Sequence, residues 1–321
     1  MSCNQDFFKK QEQQIKETYL KKVEEYDNID YCVYSGDETI EKHYYNKYDK
    51  HLYLRCEDGF FDTFKKTYYA FKYIKENFDE YDYIFRTNTS TYINIDLLNY
   101  FVQHKKDDEC IWCGELHSRF DEYAPAPLDF SYRGNGLLLS KYVIDIVLKY
   151  GFQWLYFKNN NSMADDLLIS RIFNSYLMIN NKKYENFGKC FGQGYYKMVN
   201  VDTYNGNKLC TWGNQNLDWD FMKNFIMIQF KNHYDRNQDE QNLNDLYNTF
   251  KDHIYSDEEL KETYDKIIEY SENPSIFLGS IIGFISFDEW LKLDKKKLFY
   301  FEVNNIATNE TYHTADEFKW F

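Results

Sequence analysis

Proline and glycine are scarce in this chain, which has only 3 prolines and 13 glycines among 321 residues. That composition excludes collagen-like and Gly/Pro-rich low-complexity chains. Long apolar runs are also lacking. The longest, SIFLGSIIGFISF near the C-terminus, is interrupted by serine and glycine and is shorter than the roughly 18 residues of a membrane-spanning helix. We therefore predict no transmembrane segment.

Basic residues are fewer than acidic ones. The chain has 38 lysines and arginines and 52 aspartates and glutamates, which gives a formal net charge of -14. The electrostatic field of a negatively charged protein repels nucleic acid and anionic membranes, so we expect neither as a general binding partner. It leaves room for a local basic pocket that binds a nucleotide. The seven cysteines, an odd number scattered along the chain, indicate reduced thiols, so we expect the protein in a cytoplasm.

Two nucleotide-binding signatures are absent. No G-x-G-x-x-G follows a strand pattern and no G-x-x-x-x-G-K-[ST] occurs, which disfavours dinucleotide and P-loop sites. The chain instead alternates strand and helix patterns with short connections, which predicts an α/β fold with a mainly parallel sheet flanked by helices. From about residue 236 the sequence becomes polar and helix-prone. We expect a domain over residues 1–235 and a largely helical C-terminal extension, 236–321, packed on it.

The clearest helix pattern lies in EDGFFDTFKKTYYAFKYIKENF, with Asp58 as its predicted N-cap. Its apolar stripe advances by steps of three and four residues through Phe60, Phe64, Thr67, Phe71, Ile74 and Phe78. A further helix is predicted over Asp96–Gln103, and two more follow the predicted N-caps Ser140 and Ser162.

The stretch YDYIFRTNTSTYIN opens as a buried strand at Tyr83–Phe85 and then becomes polar from Arg86 to Ser90. Open α/β sheets bind their ligands where strands end in such turns. The alternative is a polar turn that ends a strand and binds nothing.

Several pieces of the chain, taken in order, resemble the beta-1,3-glycosyltransferase and fringe group of GT-A enzymes. QQIKETYLKK resembles the group's Ile-Arg-Glu-Thr-Trp helix, and EDGFFDTFKKTYYAF its Asp-x-Tyr-x-Asn-Leu-Thr-x-Lys-Thr helix. FRTNTSTYIN lies where the group has Lys-Thr-Asp-Asp-Asp-x-Phe-Val-Asn. YRGNGLLLSKYVIDIV resembles its Gly-x-Gly-Tyr-x-Leu-Ser segment, and ADDLLISRI its Glu-Asp-Val segment. The resemblance covers roughly residues 10 to 175 and depends on the shared order and spacing.

The resemblance implies a GT-A type, Rossmann-like domain that transfers a sugar with inversion. The donor would be a nucleotide sugar, namely a UDP-sugar, and the acceptor an oligosaccharide or glycolipid, joined through a beta-1,3 linkage. With a glycolipid acceptor, the enzyme would act at the periphery of a membrane. Two rivals stay open. One is a non-catalytic glycan- or nucleotide-binding protein on the same fold, and the other is a nucleotidyltransferase.

Most GT-A enzymes neutralise the leaving diphosphate with a divalent cation held by an Asp-x-Asp turn, because hard cations prefer charged oxygen ligands. Here the template positions are Asn88, Thr89 and Ser90, whose amide and hydroxyl oxygens are weaker ligands. One alternative is Mn²⁺ or Mg²⁺ bound mostly through the phosphates, with Asn88, Ser90 and His233 as protein ligands. The other is a metal-independent enzyme. The predicted donor-binding residues are Lys66, Arg86, Thr87, Asn88, Ser90, Lys231 and Arg236.

The proton acceptor is implied by the same resemblance. Asp166 takes the place of the Asp in Glu-Asp-Val and Asp165 that of the Glu. Asp166 is therefore the predicted general base, with Asp165 beside it. The alternative is that both carboxylates only stabilise the first turn of a helix, where negative charge favours the helix dipole.

The RGNG segment supplies the predicted acceptor site. Its glycines would let the backbone approach a sugar closely, although a simple turn explains them equally well. The predicted acceptor-binding residues are Asp129, Arg133, Gly134, Asn135 and Gly136.

Overall fold

The computed structural model describes residues 1, 3, 5–59, 62–78, 80–104, 111–118, 130–156, 164–180, 192–194, 225–231 and 236–272. Its α-helices are α1 (Asp6–Glu17), α2 (Thr63–Asn77), α3 (Ile95–His104), α4 (Lys141–Gly151), α5 (Asp165–Ile179), α6 (Asp239–Phe250) and α7 (Asp257–Glu272). Short 3-10 helices span Tyr19–Glu25, Phe152–Tyr156 and Arg236–Gln238. The strands are β1 (Val33–Gly36), β2 (Tyr44–Asn46), β3 (His51–Leu54), β4 (Tyr83–Thr87), β5 (Thr91–Ile93), β6 (Trp112–Ser118), β7 (Phe130–Ser140), β8 (Gly192–Gly194) and β9 (Met227–Gln229).

The first sheet has the strand order β1-β3-β2. β1 and β3 run parallel, with Val33 opposite His51, and β2 pairs antiparallel with the other edge of β3. Ala70 of α2 lies with Tyr34 and Leu52 in a small apolar cluster between the helix and this sheet. This cluster therefore packs α2 against the first sheet.

The second sheet, of order β4-β7-β6, is antiparallel and lies in the main core. Leu137, Leu138 and Leu139 of β7 are each at most 1% exposed. Since successive side chains of a strand point to opposite faces, this continuous apolar run indicates a strand that is covered on both faces. α4 and α5 pack on β7, and this packing brings the start of α5 close to the end of β4.

The third sheet has the order β5-β9-β8, with β9 antiparallel to β5 and parallel to β8. Met227 and Ile228 of its central strand are buried. The Phe230 N–H donates to the Ser90 carbonyl at 3.0 Å, just beyond this pairing. The residues after β9 are thereby held beside the end of the polar turn.

In the part of the chain that the structure describes, two strand pairs are parallel, β1–β3 and β8–β9, and four are antiparallel. They form three separate three-stranded sheets. A single, mainly parallel GT-A sheet therefore stays a prediction.

The predicted helix start at Asp58 is wrong, because α2 begins at Thr63. The Asp58 carboxylate instead accepts hydrogen bonds from the Gly36 N–H at 2.9 Å and from Lys66 Nζ at 3.0 Å. A carboxylate that accepts hydrogen bonds from a strand-end N–H and from a buried ammonium is stabilised more than a carboxylate at a helix terminus. In the predicted apolar stripe Phe64, Thr67 and Phe71 are buried, while Phe60 lies outside the described residues.

Ser140 directly precedes α4, as predicted, but its side chain does not cap the helix. Its hydroxyl accepts a hydrogen bond from the Ile111 N–H at 3.0 Å instead and so ties the start of α4 to β6. The predicted helix over Asp96–Gln103 is confirmed as α3. Ser162 lies outside the described residues.

α6 and α7 pack against the residues before position 105. The rings of Tyr92 and Phe250 stack with centroids 5.5 Å apart, and Asn94 donates to the Tyr255 hydroxyl at 2.7 Å. Residues 273–321 of the predicted extension lie outside the described part, so the division at residue 236 stays a prediction. Within the described ranges, no helix is long and apolar enough to cross a membrane.

Candidate functional site

The polar turn that follows β4 is closed by its own side chains. Asn88 Oδ1 accepts hydrogen bonds from the Ser90 N–H at 3.1 Å, from Ser90 Oγ at 2.9 Å and from Thr91 Oγ1 at 2.9 Å. The Thr87 hydroxyl donates to the Asn135 carbonyl at 2.6 Å. Asparagine, serine and threonine form such turns because their short side chains reach nearby backbone groups. The turn thus obtains a fixed shape without a carboxylate.

Arg86 lies at the start of this turn and is almost fully buried. Its guanidinium forms an ion pair with Asp165 at 2.5 Å and donates from Nη1 to the Gly134 carbonyl. Burial alone lowers the pKa of this guanidinium, but the negative charges of Asp165 and Asp166 outweigh burial and raise the pKa above its usual value. Arg86 is therefore a fixed cation that joins β4, β7 and α5.

Asp165 is the first residue of α5 and is as deeply buried as its partner Arg86. Its Oδ2 atom also accepts a hydrogen bond from Thr67 Oγ1 at 2.7 Å. A carboxylate enclosed in this way contacts the arginine and the threonine rather than solvent. The structure therefore places Asp165 beneath the surface of the site.

Asp166, the next residue, is only half buried. Its Oδ2 accepts a hydrogen bond from the Gly134 N–H at 2.7 Å, and its Oδ1 accepts one from the Leu167 N–H at 2.8 Å. The second bond is the contact expected of a carboxylate in a first helical turn. The first is a contact across 32 positions of sequence, and it brings the predicted base to the RGNG segment.

Gly134 is the residue through which these groups meet. Its carbonyl accepts from Arg86 and, at 3.1 Å, from Asn88 Nδ2, while its N–H donates to Asp166. A Cβ added at this position would lie 3.1 Å from Arg86 Nη1 and 3.2 Å from Asp166 Oδ2. The lack of a side chain thus lets both charged groups approach the same backbone segment.

The other residues of the RGNG segment have different roles. A Cβ at Gly136 would overlap Met227 Sδ and lie 2.8 Å from Phe85, so this glycine permits close packing of β7. Asn135 is buried, and the backbone of Arg133 lies in β7, although its side chain is outside the described part. Asp129 lies outside the described residues. The structure therefore places Gly134 at the site and Gly136 in the core.

Lys66 lies behind the site rather than on its surface. Its side chain is 3% exposed and is paired with Asp58 at 3.0 Å. The Met1 nitrogen donates to the Thr87 carbonyl at 2.7 Å, next to this cluster.

Lys231 and Arg236 lie on the other side of the turn. The Ser90 carbonyl accepts from the Phe230 N–H, so Lys231 follows directly beside it. Burial, and then the charge of Arg236, lowers the pKa of Lys231. Arg236 forms an ion pair with Asp239 at 2.8 Å. The predicted donor-binding cations thus fall into two groups, one on each side of the turn.

A hydrogen-bonded chain joins Arg236 to the turn. Thr89 Oγ1 donates to Gln11 Oε1 at 3.0 Å, and Gln11 Nε2 donates to Asp239 Oδ2 at 2.8 Å. Asp239 is in turn the partner of Arg236. α1 and α6 are therefore held against the middle of the turn.

Two of the predicted metal ligands, Asn88 and Ser90, are already bonded to each other within the turn. Asn88 Oδ1 already accepts three hydrogen bonds from Ser90 and Thr91, so a cation would have to break the turn to reach it. His233 lies outside the described residues. Among the described residues there is no group of three or more His, Cys, Asp or Glu side chains that would hold a metal.

A second polar cluster has the hydrogen-bond order of a hydrolytic triad. Ser35 Oγ lies 2.8 Å from His51 Nε2, and His51 Nδ1 lies 3.0 Å from Glu12 Oε1. Ser35, however, is only 1% exposed, and a nucleophile must reach its substrate. This cluster therefore ties α1 to β1 and β3 and has a structural role.

Sequence reasoning missed Tyr34 and Thr67 as site residues. The signal for Thr67 was present, because it is a polar residue in an otherwise apolar helix stripe. No comparable signal marked Tyr34 in a chain with 32 tyrosines. Thr67 meets Asp165, and Tyr34 meets Thr67, only after β1, α2 and α5 have packed together.

Comparison with known proteins does not assign the chain to a family. No protein-family model matches it, and no curated protein matches it. The contacts around Gly134, Arg86 and Asp166 are therefore the basis on which a function is proposed.

Proposed function

We propose that this chain is an inverting glycosyltransferase of the GT-A type that transfers a sugar from a nucleotide sugar, namely a UDP-sugar, to a glycan acceptor. One observation carries the proposal. The backbone of Gly134 contacts Arg86 and Asn88 from the polar turn and Asp166 from the start of α5. The three segments that the resemblance assigns to donor, acceptor and base thus meet at one residue.

Asp166 is the proposed general base. It is half buried, and its two oxygens accept hydrogen bonds from the Gly134 and Leu167 N–H groups, which hold the carboxylate beside the RGNG segment. The acceptor hydroxyl attacks the anomeric carbon, the bond from that carbon to the donor phosphate breaks, and the hydroxyl proton passes to Asp166. Nucleoside diphosphate leaves, and one displacement inverts the anomeric centre.

The leaving diphosphate is proposed to bind at the turn without a cation. The Arg86 guanidinium is almost fully buried and paired with Asp165, so it would hold the turn in shape rather than contact the diphosphate directly. Lys231 and Arg236 add positive charge on the other side of the turn. A beta-1,3 linkage and a glycolipid or oligosaccharide acceptor belong to the same proposal through the resemblance.

One observation favours the second candidate, a non-catalytic glycan- or nucleotide-binding protein. Asp165 neutralises Arg86, and both oxygens of Asp166 already accept hydrogen bonds. Groups satisfied in this way can hold a ligand without reacting. The two candidates differ in whether a bond to the donor phosphate breaks.

Incubation of the full chain with a panel of UDP-sugars tests this directly, with released UDP as the readout. We expect slow donor hydrolysis without acceptor and faster release with a matching acceptor. Asp166→Asn should abolish release. Asp265→Asn, which alters an exposed aspartate of α7 paired with Lys261, should leave release unchanged. Binding of donors with no release by the wild-type chain would favour the non-catalytic candidate, and full activity of Asp166→Asn would remove Asp166 as the base.

A further inference from the structure

Two side chains that the resemblance does not assign to the site reach its buried ion pair from other elements. Thr67 of α2 donates to Asp165 Oδ2 at 2.7 Å, and the Tyr34 hydroxyl of β1 lies 2.9 Å from Thr67 Oγ1. Both residues are buried. Thr67 thus bonds to Asp165 directly, and Tyr34 bonds to Thr67.

The chemistry of these groups fixes the direction of the hydrogen bonds. The Asp165 carboxylate, paired with Arg86, only accepts, so the single hydroxyl proton of Thr67 goes to it. Tyr34 must then be the donor to Thr67. Burial raises the pKa of Tyr34 to about 12, so its hydroxyl keeps its proton at neutral pH. The series Tyr34, Thr67, Asp165 is therefore ordered in one direction.

The series continues on the other side of the ion pair. Arg86 bonds to Asp165 and to the Gly134 carbonyl, and the Gly134 N–H bonds to Asp166. Each group in this path is held by at least two described contacts. A change at Thr67 therefore reaches Asp166 through Asp165, Arg86 and the Gly134 backbone.

We propose that Tyr34 and Thr67 are positioning residues for Asp166, acting through the Asp165–Arg86 pair and Gly134. The catalytic consequence rests on the proposed function. Without the Thr67 hydroxyl, Asp165 Oδ2 has lost one of its two described partners, and the position of the Arg86 guanidinium is less restrained. A displacement of about 1 Å at a reacting group is enough to cost about a hundredfold in rate.

The structure offers a matched control on the same helix. Thr63 is also buried, but its hydroxyl has no hydrogen-bond partner among the described residues. Thr63→Val and Thr67→Val are therefore the same chemical change one helical turn apart, and only the second removes a described hydrogen bond. Thr67→Ser keeps the hydroxyl and serves as the conservative variant.

The experiment measures UDP release by the full chain at varied donor concentration. We expect Thr67→Val to lower kcat by about ten- to a hundredfold and to leave the donor KM within about twofold, because the ground-state donor contacts stay in place. Thr67→Ser should restore most of kcat, and Thr63→Val should match the wild type. Tyr34→Phe, which keeps the ring and removes only the hydroxyl, should lower kcat in the same direction.

Thermal unfolding supplies a readout that does not depend on activity. The losses of melting temperature from Thr67→Val and Asp165→Asn should fail to add in the double variant, because the two residues share one hydrogen bond. The losses from Thr63→Val and Asp165→Asn should add. Additive losses for the Thr67 pair would overturn the proposed path.

The outcomes separate this inference from the function on which it rests. Wild-type turnover that Thr67→Val and Tyr34→Phe leave unchanged overturns the positioning role alone. A wild-type chain without turnover overturns the proposed function, and the positioning role with it, even where the unfolding experiment confirms the contact. An equal loss of kcat in Thr63→Val would show that packing, and not the hydrogen bond, is responsible.

Discussion

Arg86 and Asp165 form an ion pair at 2.5 Å in which the side chains are only 2% and 3% exposed. The two residues lie 79 positions apart and belong to β4 and α5, which pack on the same strand, β7. Taking two charges out of water is costly, so such a pair is stable only while both partners and their hydrogen bonds are present. This requirement makes the pair a sensitive point for the stability of the fold and, under the proposed function, for turnover.

Removal of one partner should destabilise the fold strongly. Arg86→Met leaves the Asp165 charge buried without its cation, and we expect a loss of about 3–5 kcal/mol in the free energy of unfolding. Lys75→Met is the matched control, because Lys75 and Asp145 also lie 2.5 Å apart but are 44% and 45% exposed. That control should cost at most about 1 kcal/mol. Urea unfolding measures both, and similar losses would contradict the assignment of Arg86 to a desolvated pair.

Gly134→Ala should impair turnover more than folding. The added Cβ would lie 3.1 Å from Arg86 Nη1 and 3.2 Å from Asp166 Oδ2, so it must push apart the groups that the backbone holds together. We expect UDP release to fall at least about tenfold, as for other small misplacements of reacting groups.

Gly151→Ala is the control for that experiment. A Cβ added at Gly151 would make an equally close contact, 3.1 Å from Phe64, but this contact lies in the apolar core. It should lower the melting temperature and leave the activity per folded molecule unchanged. Equal losses of activity in the two variants would show that Gly134 has no special relation to the site.

Acid should destabilise the protein through Glu12. Burial alone raises the pKa of Glu12, but hydrogen bonds from His51 and Lys16 outweigh it and lower the pKa to about 2, from an ordinary value of 4.5. Because the folded pKa is depressed, this contribution is fully present above pH 4.5 and is lost as the pH falls from 4.5 toward 2. It amounts to about 3 kcal/mol at neutral pH.

Glu12→Gln checks this assignment by urea unfolding at several pH values. At neutral pH the variant should be less stable than the wild type. This difference in the free energy of unfolding should shrink as the pH is lowered from 4.5 toward 2. Glu240→Gln is the control, since Glu240 forms an exposed ion pair with Lys10 and should change little. A deficit for Glu12→Gln that stays constant with pH would rule out this contribution.

Chelation should leave donor turnover intact. The Asn88 amide and the Ser90 hydroxyl are already bonded within the turn, and neutral oxygens are weak ligands for a divalent ion. We expect UDP release to be unchanged by EDTA and by added Mn²⁺. Strict dependence on Mn²⁺ would show that a cation binds through the phosphates and would retire the metal-independent form of the proposal.

The local structure was largely predictable, because it depends on patterns within one segment. The stripe through Phe64 and Phe71 identified α2, and the change from apolar to polar at Arg86 marked the end of β4. The start of α2 was missed because Asp58 bonds to Gly36 and Lys66 rather than to the helix. Such a choice depends on a neighbouring strand that local sequence does not specify.

The site was predictable as a set of segments but not as a set of contacts. The sequence nominated Arg86, Gly134 and Asp166, which the structure brings together, but it gave no reason to pair Arg86 with Asp165. It also did not separate Gly134, which lies at the site, from Gly136, which lies in the core. Both distinctions follow from the register of β4 against β7 and from the packing of α5, which arise only in the folded chain.

Asn88 closes the turn after β4 with groups that carry no charge and do not titrate in the physiological range. An aspartate-based turn repels itself until a cation arrives, whereas this one has its final geometry before any ligand is present. Its preorganisation therefore does not vary with divalent-ion concentration or with acidity. The turn is already ordered in the folded chain, so a ligand that binds there does not bear the free-energy cost of ordering it.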